Sequence, residues 1–307
     1  MTNIVTLTMN PALDIATSTD RIVPDHKLRC ETPRYDAGGG GINVARAVHA
    51  LGMDALAVFP AGGAAGELID HLLNEEGVDH GIVAISGFTR ESLNIVERES
   101  GKQFRFILPG PEIGPADQQR CLDALAAAAA DATYIIASGS LPMGVPDDFY
   151  KCVAQLAAAR GKRLVLDTSG AALRKAGSGI YLLKPSLTEL ADLVGRPICS
   201  EHEENQAARE LIERNYCEIA VVSLGARGAV LASKEAVHRL PAVEISAKGG
   251  VGAGDSMLAG IIVGLNRGLS LVEAVRFGIA AGAAASLATG TQLCRLSDVE
   301  RLYQGLL

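Results

Sequence analysis

The sequence predicts an α/β fold, a mostly parallel central sheet with helices on both faces and a second, small β-sheet beside it. Short β-branched runs alternate with longer Ala/Leu-rich helical stretches, the order that repeated βα units produce. The short runs are apolar on successive residues, as strands covered on both faces require. Two segments, Asp14 to Arg34 and Arg90 to Leu108, break the rhythm with alternating, β-rich patterns that no helix follows directly.

The expected strands are Ile4 to Thr8, Ala57 to Phe59, Tyr134 to Ala137, Leu164 to Asp167, Tyr181 to Leu183 and Ile219 to Ser223. Helices are expected between them, at Ile42 to Leu51, Asp117 to Ala130, Asp147 to Arg160 and Glu203 to Arg214. In the two odd segments Leu93 and Ile95 alternate with Glu97, and Phe104 and Phe106 flank Arg105, which suits strands of a small sheet able to cover a cleft. From Ser256 onward the chain turns helical and rich in Ala and Gly, with Phe277 to Gly290 reading as a tightly packed helix.

Composition narrows the function. A chain of 307 residues buries roughly 75% of its unfolded surface and needs neither disulfide nor metal to hold a core. Its 28 basic and 35 acidic residues give a net charge of -7 with no dense Lys/Arg run, which argues against nucleic acid or an anionic membrane as partner. The six cysteines form no CxxC pair, and free thiols in a reducing cytosol fit them best. Met1 to Thr8 has no basic n-region, and 18 consecutive apolar residues occur nowhere, so a cytoplasmic location is expected. The six histidines show no ligand spacing.

Four stretches carry candidate chemistry. Gly38-Gly39-Gly40-Gly41-Ile42-Asn43 opens directly into a helix, and its bare backbone favours an anionic or hydroxyl-rich ligand. A structural turn is the alternative, and Asn43 breaks the GxGxxG pattern of a dinucleotide site. Val251-Gly252-Ala253-Gly254-Asp255-Ser256 precedes the apolar helix Met257 to Leu265, so backbone N–H groups converge beside the positive end of a helix with Asp255 next to them. Such a pair suits phosphoryl transfer: amides neutralise charge on the transferring group, and the carboxylate takes the attacking hydroxyl's proton. Alternatively, Asp255 caps the helix.

Ser223-Leu224-Gly225-Ala226-Arg227-Gly228 ends a strand, where open α/β sheets bind ligands and glycines leave room for a nucleotide. A hairpin turn into Ala229 to Leu231 explains the same residues. Lys184-Pro185-Ser186-Leu187-Thr188-Glu189 also follows a strand. Glu189 suits water-mediated Mg²⁺, while Ser186 and Glu189 also fit a capping box, and the two readings are compatible. Among single residues, Asp14 suits two sugar hydroxyls or a plain turn, and Arg90, Lys27 and Arg29 suit a phosphate or open solvent, Arg90 best because its planar fork matches phosphate oxygens.

With these motifs in place, the whole chain resembles the ribokinase-like PfkB carbohydrate kinases, most closely their 6-phosphofructokinase branch. The likeness also runs through Thr6-Leu7-Thr8, Lys27-Leu28-Arg29-Cys30, Phe59-Pro60-Ala61-Gly62-Gly63, Ser138-Gly139-Ser140-Leu141-Pro142 and Val222-Ser223-Leu224-Gly225. It implies one ribokinase-like three-layer α/β/α domain over 1–307, with a small β lid at about 14–34 and 90–108 through which two copies dimerise. It also implies ATP-dependent phosphorylation of a sugar phosphate with Mg²⁺, and a monovalent cation, K⁺, beside the anion hole.

The resemblance implies roles as well. Asp255 is the general base and Gly252, Ala253 and Gly254 the anion hole. Asp14, Gly39 and Asn43 hold sugar hydroxyls, with Ser138 nearby. Arg90 binds the substrate's phosphate, helped by Lys27 and by Arg29 from across the dimer. Lys184, Ser186, Ser223, Gly225 and Gly228 line the nucleotide, with Glu189 near Mg²⁺, and Lys27 suits a second, inhibitory ATP.

There are departures from the family pattern. Ser186 stands in place of the usual Asn, Gly250 in place of a common Thr, and Gln292 in place of Arg near the cation site. Gly40 replaces the Lys of many fructose-1-phosphate and tagatose-6-phosphate kinases, which favours fructose 6-phosphate as substrate, with those two kinases as alternatives. A non-catalytic sugar-phosphate binder is the alternative from another class. A Rossmann dehydrogenase lacks its fingerprint here, and a P-loop kinase is disfavoured because neither Gly101-Lys102 nor Gly161-Lys162 is followed by Ser or Thr.

Overall fold

A computed structural model describes residues 3–246, 249, 252–288 and 292–306. Nine strands form the large sheet: β1 (Ile4–Leu7), β4 (Leu56–Ala61), β5 (His80–Ala84), β8 (Tyr134–Ser138), β9 (Arg163–Asp167), β10 (Ile180–Leu183), β11 (Cys217–Ser223), β12 (Ala229–Ala232) and β13 (Val237–Leu240). Four more, β2 (Ala12–Thr19), β3 (Arg34–Gly38), β6 (Arg90–Glu97) and β7 (Gln103–Ile107), form the small sheet in the order β3-β2-β6-β7. The large sheet runs β13-β12-β11-β10-β9-β8-β1-β4-β5. It is parallel from β5 through β11, and the β12 and β13 edge is antiparallel.

Successive residues of each central strand enter opposite cores, which is why the strands read as continuous apolar runs. Ile4, Ile136, Val165, Leu182 and Val221 join one core, and Val5, Ile135, Leu166, Leu183 and Val222 the other. The first core is closed by α1 (Gly40–Ala50), α2 (Gly63–Glu76), α8 (Ala253–Asn266), α9 (Leu271–Leu287) and α10 (Leu296–Gln304). The second is closed by α3 (Pro115–Ala128), α4 (Phe149–Ala159), α5 (Gly170–Arg174), α6 (Leu187–Val194) and α7 (Glu201–Glu213).

The Ala/Gly richness of α8 and α9 has a packing cause. A Cβ on Gly278 would lie 2.7 Å from the Met257 carbonyl oxygen, and one on Gly260 2.9 Å from the Gly278 Cα. On Gly282 it would sit 3.0 Å from the Ala253 oxygen, so the two helices approach at backbone distance and fix the first turn of α8. The expected helix Phe277 to Gly290 is the end of α9, and Gly290 lies outside the described residues.

The small sheet differs in detail from expectation. β2 begins at Ala12, residues 20–33 hold no strand, and Arg34 to Ala37, which looks irregular in sequence, forms most of β3 because it pairs with β2. Arg46 of α1, 8% exposed, ties this sheet to the large one. Its Nε donates to Glu76 of α2 at 2.6 Å, its Nη1 to the Ala37 carbonyl at 2.7 Å, and its Nη2 to Asp36 at 3.4 Å. Removing one partner of a buried ionic network strands the others, so Arg46→Ala is expected to lower stability by about 3 kcal/mol. Urea midpoints measure this, and an unchanged midpoint would contradict it.

Candidate active site

Between β1 and β8 the strand order reverses: the chain runs outward through β4 and β5 on one side and through β9, β10 and β11 on the other. A crevice opens at the carboxyl ends of strands at such a switch point. Three expected residues stand at or just beyond those ends, Ser138 on β8, Lys184 past β10 and Ser223 on β11, while Asp14 lies on β2 of the small sheet.

Asp255 lies in the first turn of α8, whose N-cap, Gly252, adopts φ 74° and accepts from the Ser256 N–H at 2.8 Å. The first N–H groups of this helix have no partner within it and are free to bind a ligand. Asn43 Nδ2 donates to Asp255 Oδ2 at 2.9 Å, joining the two glycine motifs across 212 residues of sequence. Burial, reinforced by the Asp167 carboxylate, pushes the Asp255 carboxyl up to about 6, against the pull of the Asn43 hydrogen bond and the Lys184 charge.

The Lys184 ammonium is buried and lies 2.9 Å from Asp167 Oδ2. Burial works against its charge, but the Asp167 carboxylate, with Asp255 and Glu189 adding to it, holds the pKa above the ordinary lysine value. A Cβ on Gly254 would lie 3.5 Å from Lys184 Nζ, so this cation borders the glycine turn. Asp167 was not singled out in the sequence, although its place at the end of an apolar parallel strand, like that of Ser138, is the available signal.

The glycine run before α1 is demanded by contact. Gly39 has φ 111°, and a Cβ on Gly40 would meet the Ser138 hydroxyl and sit 2.8 Å from the Gly139 nitrogen. One on Gly41 would press on the Leu7 carbonyl at 2.6 Å, while Thr8 Oγ1 accepts from the Ile42 N–H at 2.8 Å. A side chain at position 40 therefore requires the end of β8 to move.

Strand register puts Asp14, Arg90, Ser92 and Arg105 on one face of the small sheet and Leu13, Ile15, Leu93, Ile95 and Phe106 on the other. Arg90 donates to Asn10 Oδ1 at 3.0 Å, to the Asn10 carbonyl at 3.1 Å and to Ser92 Oγ at 3.1 Å. Asn10 in turn donates to Ser140 at 3.2 Å, linking the small sheet to the end of β8. Burial pushes the Asp14 carboxyl up to about 6, opposed by Arg90, Arg105 and Arg46 and assisted by Asp36. Asn10 and Arg105 were also missed in the sequence, the first within a turn and the second as one charge in an alternating strand.

Other expected residues lie differently. Lys27 and Arg29 are exposed in the strand-free stretch 20–33. Ser186 and Glu189 form the capping box: Ser186 Oγ accepts from the Glu189 N–H at 3.3 Å, and Glu189 Oε2 accepts from the Ser186 N–H at 2.7 Å. Ser223 bridges to Ser186, its N–H donating to the Pro185 carbonyl at 2.9 Å. The 223–228 stretch is the turn of the β11–β12 hairpin. Gly228 serves that turn, since a Cβ there would sit 2.6 Å from the Ala242 nitrogen, whereas Gly225 faces open space. Gly250 lies outside the described residues, and Gln292 lies inside them.

Residues 7–298 match the model of the pfkB family of carbohydrate kinases. The chain belongs to this family. As a pfkB kinase it is 51% identical over 301 residues to the ATP-dependent 6-phosphofructokinase isozyme 2 of Mycobacterium tuberculosis strain H37Rv, covering 98% of this chain and 89% of the relative. The crystal structure of phosphofructokinase-2 from Escherichia coli in complex with potassium superposes with a TM-score of 0.95 at 39% identity, covering 100% of this chain and 99% of that one. The same enzyme in complex with fructose-6-phosphate gives 0.92 at 38%, with the same coverage. Arabidopsis thaliana ribokinase, at 21% identity and a TM-score of 0.78 over 99% of both chains, shares the fold. The fold of this pfkB kinase is thus the ribokinase-like α/β fold anticipated from sequence, with its small separate sheet.

Proposed function

We propose that this pfkB kinase transfers the γ-phosphoryl group of ATP to a hydroxyl of fructose 6-phosphate, giving fructose 1,6-bisphosphate and ADP. The observation that carries the reading is Asp255, held by Asn43 at 2.9 Å in the first turn of a helix that opens with glycines. The relatives' names and the fructose-6-phosphate complex of the E. coli neighbour support the substrate class.

Asp14, Gly39 and Asn43, with Ser138, orient the sugar so that one hydroxyl faces Asp255. Asp255 takes that hydroxyl's proton as the oxygen forms its bond to the γ-phosphorus, and the bond from phosphorus to the ADP oxygen breaks. The N–H groups of Gly252, Ala253 and Gly254 and the Lys184 ammonium stabilise the charge on the transferring oxygens. Arg90, with Arg105 nearby, holds the phosphate the sugar already carries, helped by Lys27 and by Arg29 from across the dimer. Ser186, Ser223, Gly225 and Gly228 line the nucleotide.

Mg²⁺ fits the oxygen donors present, since it binds through one or two carboxylates together with substrate phosphates. Glu189, with Asp167 on the adjoining strand end, offers those carboxylates, and the ion would neutralise phosphate charge. Potassium in the E. coli neighbour supports a monovalent site beside the glycine turn. The small sheet acts as a lid and as the homodimer contact. On the face opposite Asp14 and Arg90 its outer strand leaves Phe106 48% exposed, apolar surface of the kind a second copy covers. A cytoplasmic location accords with the absence, among the described residues, of any helix long and apolar enough to cross a membrane. Incubation with MgATP and fructose 6-phosphate should release one ADP per sugar and give a product heavier by one phosphoryl group. No ADP release, with intact protein, would overturn the proposal.

A further inference from the structure

Helix α7 buries a carboxylate whose partners lie on two other segments. Glu204 is 3% exposed. Its Oε1 accepts from Arg227 Nη2 at 2.7 Å, and its Oε2 from Arg239 Nη2 at 2.6 Å. Arg227 belongs to the turn of the β11–β12 hairpin, and Arg239 to β13. Arg239 also reaches the Glu201 carbonyl at 3.3 Å. The same two segments touch again at Gly228, where a Cβ would meet the chain leaving β13 at Pro241 and Ala242, both at 2.6 Å.

One buried anion therefore clamps the turn of residues 223–228 against the strand whose continuation leads to the glycine turn of Asp255. A buried carboxylate shared by two guanidinium groups is rigid, because moving either arm exposes an uncompensated charge. The tip of the turn makes no use of apolar burial: Gly225, Ala226 and Arg227 are exposed. Leu224 anchors the start of the turn in the second core and the Ser223 N–H donates to the Pro185 carbonyl, so the exposed tip at residues 225–227 is held by the ionic clamp and by the close approach at Gly228.

We propose that Glu204 is a positioning residue for the nucleotide, holding the turn of residues 223–228 at the height that the base and ribose of ATP require. The inference rests on the reading of that turn as nucleotide-lining. In Glu204→Gln the KM for MgATP should rise about 5- to 20-fold, the scale on which one contact network couples. In that variant kcat and the KM for the sugar phosphate should stay within about twofold, a split that marks lost nucleotide binding and not lost chemistry. Glu204→Asp, which keeps the charge, should recover part of the loss. Arg227→Ala, which removes a half-exposed arm and leaves Glu204 paired with Arg239, should show a smaller rise and guards against a misfolded first variant.

A lowered melting temperature with an unchanged KM for MgATP in both Glu204→Gln and Arg227→Ala would overturn the proposal and leave Glu204 a structural brace. Hydrogen exchange of the unmutated protein with a non-hydrolysable ATP analogue tests the underlying reading separately. Protection of residues 223–228 supports it, and unchanged exchange there overturns both the reading and the clamp's role.

Discussion

Asp255→Asn is expected to lower kcat by about 10²- to 10⁴-fold, with the KM values for both substrates much less affected, because proton removal contributes on that scale and is made only in the transition state. The amide oxygen of asparagine still accepts the Asn43 hydrogen bond, so the fold and the glycine turn stay in place. A general base must be ionised to act, and the Asp255 carboxyl is pushed up to about 6. Activity of the unmutated enzyme should therefore fall as pH drops through about 6. Because Asp14 is also pushed up to about 6, this acid limb belongs to the pair and not to one residue. A variant with near-normal turnover would remove Asp255 from the mechanism.

Stability should move in the opposite direction from activity. The pKa of Asp255 is higher in the folded chain than its ordinary 3.8, so the folded state binds this proton more tightly than the unfolded chain does. The stability associated with it is fully present below about 4 and is lost as pH rises through about 6. Asparagine carries no such charge, so the variant should gain melting temperature relative to the unmutated enzyme at pH 8 and not at pH 4.5.

Arg90→Ala is expected to reduce kcat/KM for a phosphorylated sugar by about 10²-fold, since one hydrogen bond to a charged group is worth about 1.5–3 kcal/mol and each 1.4 kcal/mol is about tenfold. The loss should be carried by the KM for the sugar phosphate, with the KM for MgATP unmoved. Arg90→Lys should recover little, because a point charge cannot replace the fork that reaches Asn10 and Ser92 together. An equal loss in both KM values would indicate a collapsed small sheet instead of a missing phosphate ligand.

The parts legible in the sequence are those whose cause is local. The central strands announce themselves because neighbouring residues such as Val165 and Leu166 must satisfy two cores at once. Ser186 and Glu189, three residues apart, write their capping box directly into the chain. Edge strands are harder: β5 and β13 are short, half-exposed and without a continuous apolar run. Arg46 with Glu76, Asn43 with Asp255 and Lys184 with Asp167 are tertiary pairs, and nothing in the residues around each partner names the other. The glycine motifs and the planar fork of Arg90 are readable residue by residue, whereas the phosphate of a sugar, as opposed to open solvent, is named for Arg90 by family likeness.

Gly40 joins these two kinds of evidence. Family likeness reads it as a mark of fructose 6-phosphate, and the close approach of Ser138 and Gly139 gives it a packing reason as well. The decisive measurement is the ratio of kcat/KM for fructose 6-phosphate, fructose 1-phosphate and tagatose 6-phosphate with MgATP, with the product masses checked. A clear preference for fructose 6-phosphate is predicted. A preference for either other sugar would contradict the substrate assignment while leaving Asp255 as base, and no turnover with any of the three would contradict the kinase itself.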